Sequence, residues 1–239
     1  MAENGEFPGR RATLAELRAA VARVERSGVA AQAGVVSLCH SIDHALPGGG
    51  LSRAAFHEVL AGDPGATIAF CALVLARACG AVMWIGAEPD VWPEGLRDFG
   101  LSPADLILVG AKRPRNRLWA FEEALRSTGV AGAVLVMDGP APDLIAARRL
   151  QLAAEVGGGI GLLVLPNTDV IPPSAARSRW RVDSANASRL GNPSWRLTLL
   201  RASGGRPGTW TVTWDRALRE LALANTPAPV GAQSTHALA

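Results

Sequence analysis

The chain has 239 residues, 49% of them hydrophobic and 19% charged, with a formal net charge of +3. That is enough length and apolar content for one sizeable α/β domain or two small ones with a packed core. It excludes a membrane-spanning helix, because no segment has the length and apolar purity a span requires, and a charge of +3 does not by itself indicate nucleic acid.

Lys112 is the sole lysine among the 24 basic residues, so the positive surface is built from arginine. Forked guanidinium groups suit carboxylates, phosphates and aromatic faces better than ammonium groups do. Cys39, Cys71 and Cys79 make an odd count, and two of them lie in an apolar helical run. Buried thiols in a reducing cytoplasm are the expected reading. Arg10-Arg11 is followed by an amphipathic segment rather than an apolar one, so no export signal is predicted.

In chain order, residues 1–11 read as a disordered lead-in. Thr13 and Glu16 form a capping box, and Leu14, Leu17, Val21 and Val24 follow at helical spacing with Arg18, Arg23 and Arg26 on the polar side. Such a helix packs on its own domain or docks on a partner, and the sequence leaves both open. Residues 27–52 are a glycine-broken approach ending in Pro47-Gly48-Gly49-Gly50-Leu51. His40, His44, His57 and Cys39 lack the paired spacing of a metal site, and ordinary polar loop residues are the better reading.

From residue 54 strand and helix alternate. Strands are predicted over Ala54 to Ala61, Ala81 to Gly86, Leu106 to Val109, Ala133 to Met137 and Gly161 to Leu165. Helices are predicted over Ala66 to Ala78, around Glu94 to Phe99, from Arg117 to Ser127 and from Asp143 to Glu155. Continuous apolar strands between amphipathic helices predict a mostly parallel central sheet covered on both faces. Trp180 to Val182, Trp195 to Arg201 and Thr209 to Trp214 then read as antiparallel strands, followed by a short helix near Asp215 to Leu223. The tail from Thr226 is rich in Pro, Gly and Ala and reads as disordered. The predicted division is an N-terminal helix and linker over 1–33, a core domain over 34–224 and a tail over 225–239.

The stretch from Phe56 to Ala76 reads strand, glycine turn, helix, where an α/β NTPase keeps its phosphate loop. A working loop is G-x-x-x-x-G-K-[ST], in which backbone amides and a lysine cradle the phosphates and a hydroxyl holds Mg²⁺. Here Gly62 and Gly65 stand too close together and Ala66 takes the place of the lysine.

The order of these stations resembles the recombinase core of RecA, and more closely the ImuA family of translesion-synthesis accessory proteins, over roughly residues 34 to 215. Leu46 to Leu51 resembles the glycine-rich approach to the first core strand, and Gly62 to Thr67 sits where the phosphate loop belongs. Ile85-Gly86-Ala87-Glu88 is similar to the segment carrying the carboxylate that activates water. Val134 to Asp138 is similar to the strand ending in the Mg²⁺-linked aspartate, and Asn167 falls where RecA has its nucleotide-sensing glutamine. The resemblance thus marks Gly62, Gly65, Thr67, Glu88 and Asp138 as a degenerate nucleotide site. Without the lysine, Glu88 and Asp138 are expected to cap a helix, bind an arginine or bond to a turn, and Thr67 to serve as an N-cap or first-turn residue. The segments from Asp138 to Asn167 and from Thr168 to Ala176 are shorter than those that carry the recombinase's DNA loops.

Two arginine clusters remain. Lys112, Arg113, Arg115 and Arg117 with Trp119 are read as a loop after a strand, and Arg177, Arg179 and Arg181 alternate with Ser178 and Trp180. Arginine beside tryptophan is the composition of interface hot spots and of single-strand contacts, so Arg113, Arg115, Arg117, Trp119, Arg177, Arg179, Trp180 and Arg181 are candidate partner or DNA contacts. The resemblance implies a non-catalytic accessory of damage-induced translesion synthesis with no cofactor. It implies as partners an ImuB-like relative of Y-family polymerases, an error-prone replicative-type polymerase and RecA. The alternatives are a SulA-like inhibitor of cell division and a weak nucleotide- or DNA-binding regulator.

Overall fold

The computed structural model describes residues 34–168, 170, 172–185 and 191–224. The predicted N-terminal helix and the tail lie outside the described residues. A two-stranded antiparallel ribbon, β1 (Val35–Val36) with β2 (Leu51–Ser52), precedes the main sheet and is bridged by the single-turn helix α1 (His40–Asp43).

The alternation predicted from residue 54 is present. In order it runs β3 (Ala55–Ala61), α2 (Pro64–Ala78), β4 (Val82–Gly86), α3 (Pro93–Leu96), β5 (Leu106–Gly110), α4 (Pro114–Arg126), β6 (Gly132–Val136), α5 (Leu144–Gly157) and β7 (Ile160–Pro166). Four strands follow, β8 (Ser178–Ser184), β9 (Ser194–Ala202), β10 (Gly208–Asp215) and β11 (Glu220–Leu223). They form one nine-stranded sheet in the order β11-β10-β9-β8-β3-β7-β6-β4-β5. Pairing is parallel from β8 through β3, β7, β6 and β4 to β5, and antiparallel from β8 out to β11.

Apart from His57 and Glu58 in β3, the central strands are apolar along their length because both faces are covered. Side chains alternate across a strand, so Val59 joins the cluster under α2 while its neighbour Leu60 joins the cluster under α4 and α5. Helix α2 has ten buried residues and is apolar on most sides. It ends at Cys79, whose φ of 55° breaks the helix, followed by Gly80 at 146°. The antiparallel strands contribute Trp195, Leu197, Leu199, Val212 and Trp214 to the α2-side cluster. Phe99 lies 5.8 Å from the Trp195 ring and 6.3 Å from that of Trp214, whose Nε1 donates to the Asp98 carbonyl at 2.8 Å.

Two expectations need correction. The short helix near Asp215 to Leu223 is a β-hairpin. Asp215 closes the turn by accepting from the amides of Ala217 and Leu218, both at 2.9 Å, and Arg219 takes a φ of 54°. The helix-forming letters of this segment lose to pairing, because β11 sets the buried Leu221 opposite Trp214. Helix α4 begins three residues earlier than expected, with Pro114 at its first position, where a missing N–H costs nothing. Arg115 and Arg117 therefore sit in a helical first turn rather than in a loop.

Candidate functional site

The carboxyl ends of β3, β4, β6 and β7 and the start of α2 converge at one edge of the sheet, the usual place for a ligand in an α/β fold. Only Gly62 and Asp63 connect β3 to α2. Asp63 is the N-cap: its Oδ1 accepts the Ala66 amide at 2.7 Å and its carbonyl accepts the Thr67 amide at 3.0 Å. The Asp63 amide itself donates to the Val182 carbonyl at 3.0 Å, and that of Gly62 to the Leu60 carbonyl at 3.1 Å. Pro64 has no N–H to offer. A helix start that would attract a phosphate is occupied by the chain's own carboxylate and tied to β8. The loop also has no room to open toward β8, since a side chain on Gly62 would collide with Asp183 and with the Val182 carbonyl.

Thr67, read from the sequence as an N-cap or first-turn residue, is 1% exposed and its Oγ1 donates back to the Asp63 carbonyl at 2.8 Å. The cap is Asp63, and the Asp63-Pro64 pair is the local signal that identifies it. Gly65 is an exposed first-turn residue of α2. Asp138 is bound by Arg117, whose two terminal nitrogens reach its two carboxylate oxygens. This fits the expectation that a carboxylate at this strand end binds an arginine. Glu88 is exposed at the rim.

Behind this edge lies a cavity of about 400 Å³. Its wall is largely apolar, with Ile68, Trp84, Val91, Val136, Met137 and Val164 among the lining residues. Glu88, Asp90 and Asp138 supply carboxylates to it.

Three of the candidate contact residues are removed from the surface. Arg117 is 1% exposed, spent on Asp138, and Arg179 is 6% exposed with its Nε donating to Glu58 at 2.5 Å. Trp180 is 0% exposed, with ring centres of Phe70 and Trp210 at 6.1 and 6.3 Å. The three arginines that alternate with Ser178 and Trp180 therefore differ in exposure, with Arg179 buried, Arg177 exposed and Arg181 half-buried. Arg113, Arg115 and Trp119 are exposed.

The sequence reading missed a polar relay under β8. Trp180 Nε1 donates to Ser178 Oγ at 2.8 Å, and Ser178 Oγ lies 2.6 Å from Nδ1 of the buried His57. The other ring nitrogen meets the Ser52 carbonyl at 2.9 Å, which can only accept. The hydrogen therefore sits on Nε2, and Nδ1 accepts from the serine hydroxyl. Burial, and secondarily the nearby Arg177 charge, lowers the His57 pKa from 6.5 to about 4, although the bond to Ser52 opposes the shift.

Replacing Asp63 by alanine is expected to cost about 0.5–2 kcal/mol, the usual value of a helix N-cap. Thermal or urea unfolding checks it, and Asp63→Asn or Asp63→Ser should recover most of the loss.

No protein-family model matches the chain. It is 38% identical over 201 residues to the protein ImuA of each of two Caulobacter vibrioides strains, an alignment covering 74% of this chain and 82% of the relative. With that identity over most of both lengths, and the core elements from β3 to β7 in the expected order, the chain belongs to the ImuA family.

Proposed function

We propose that this protein is a non-catalytic adaptor in damage-induced translesion synthesis, built on a recombinase-like core that does not use nucleotide. Family membership supports an accessory role in DNA-damage mutagenesis. The observation that carries the non-catalytic part is the Asp63 cap, which engages the Ala66 amide at the position a phosphate would need. Neither a lysine nor an open set of loop amides is available to offset γ-phosphate charge. The protein works in the cytoplasm. Its partners are an ImuB-like relative of Y-family polymerases and, with it, an error-prone replicative-type polymerase and RecA. The exposed Arg113, Arg115, Trp119 and Arg177 are its candidate contact residues. The segment from 1 to 33 and the part after Trp214 are its docking elements.

Co-purification tests this. The intact chain should retain the ImuB-like partner, and versions lacking residues 1–33 or the segment after residue 224 should lose it. Retention by both truncations removes the docking assignment. In the same preparations labelled ATP with Mg²⁺ should show no binding at micromolar concentration, and binding there would overturn the non-catalytic reading. Capture of the division tubulin instead of the polymerase relative would favour the SulA-like alternative.

A further inference from the structure

Helix α5 buries only one side. Ala147, Leu150, Gln151 and Ala154 turn inward to the sheet, while Ile145, Leu152 and Val156 on the outer side are 75, 46 and 67% exposed. With Arg149 they fall at 145, 149, 152 and 156. Those steps of four, three and four put them on one narrow seam of the kind that meets another helix. No described residue covers it.

What fits the seam is the seam itself. Its steps read the same from either end. An antiparallel copy therefore sets Ile145 opposite the partner's Val156 and Arg149 opposite the partner's Leu152, each contact occurring twice about a two-fold axis. Arg149 is the one charge on the seam. Its head group is drawn aside to Glu122 of its own α4, and its methylenes remain as apolar surface. Arg126 bonds to both Glu122 and Glu123, which balances that flank.

The opposite flank of α5 carries Arg148 and Glu155, both exposed and neither in an ion pair among the described residues. Glu155 accepts only from Gln151 Nε2, at 3.0 Å. The two charges stand about 10.5 Å apart along the axis at 1.5 Å per residue. That is too far to pair within one helix, where partners lie three or four residues apart. In the antiparallel pair, Arg148 of each copy comes beside the partner's Glu155, so two ion pairs close that edge. A parallel pair would instead stack Arg149 on the partner's Arg149 and leave both flanking charges unanswered.

We propose that the protein forms a two-fold homodimer through the outer face of α5, with the two α5 helices antiparallel. One helix from each copy is a small contact, so the dimer is a micromolar one. The inference is independent of the adaptor reading.

Sedimentation equilibrium of the intact chain tests it. At about 100 µM, where a micromolar dimer is filled, the mass should be twice that of one chain, and Leu152→Asp should return it to that of one. Arg148→Glu and Glu155→Arg should each weaken the dimer roughly tenfold, because two ion pairs become repulsive. The double variant should dimerise like the parent. So should an equimolar mixture of the two single variants, since each supplies the charge the other lacks. All these positions are exposed, and unchanged unfolding midpoints will show that the fold is intact. A monomeric parent overturns the proposal, whether its α5 face binds the polymerase relative, a lipid vesicle or nothing. A dimer indifferent to Leu152→Asp, or single variants that neither the second substitution nor mixing restores, would overturn it equally.

Discussion

Replacing Glu58 by alanine is expected to cost the fold about 3–5 kcal/mol, the loss typical when one partner of a buried ion pair is removed. Glu58 is 1% exposed and Arg179 6% exposed, and they lie opposite each other in the parallel register of β3 and β8. Alanine would leave the guanidinium in the sheet with only its bond to the Pro172 carbonyl. The pair Glu58→Leu with Arg179→Met should be far milder, because no charge is then stranded. Guanidinium denaturation of the three proteins checks this: the single variant should shift the midpoint strongly, and the double variant should return toward the parent. Equal losses in both would mean that shape, not charge, is what this position requires.

The second large effect is a loss of stability in mild acid. The folded His57 has its pKa near 4, below its ordinary value of 6.5. The unfolded chain therefore binds a proton in that window which the folded chain refuses. The stabilising contribution is complete above pH 6.5 and is lost as pH falls toward 4, by about 3 kcal/mol across the interval. Protonating Nδ1 would force the Ser178 hydroxyl to turn away and break the relay from Trp180. Denaturation curves from pH 7.5 to 4.5 should show this slope in the parent and a shallower one in His57→Gln. A parallel fall in both would assign the acid sensitivity to carboxylates instead.

The parts of the fold fixed by local pattern were legible in the sequence. The central strands are short apolar runs, α2 is an uninterrupted apolar helix, and the order of stations matched a recombinase-like core that the strand order bears out. Burial of charged residues was not legible. Arg179 meets a carboxylate 121 positions away, and no local spacing distinguishes that arginine from the exposed Arg177. Arg117 likewise looks like one member of a basic run until the end of β6 brings Asp138 beside it. The segment from Asp215 to Leu223, which forms the turn and β11, carries a helix signal because Ala, Leu, Arg and Glu favour helix locally. The decisive contact is the pairing of Leu221 with Trp214, which requires β10 to be in place first.

The connection between β3 and α2 has a further consequence. In an NTPase that link cradles the phosphates whose arrival and release order and free the neighbouring switch segments. Here it is two residues long, fastened to Val182 on one side and to the Ala66 amide on the other. Under the adaptor reading no nucleotide engages it, so the complex has no internal clock. How long it persists is set by how much of each component is present, and mass action takes over the timing that hydrolysis provides in an ATP-driven filament.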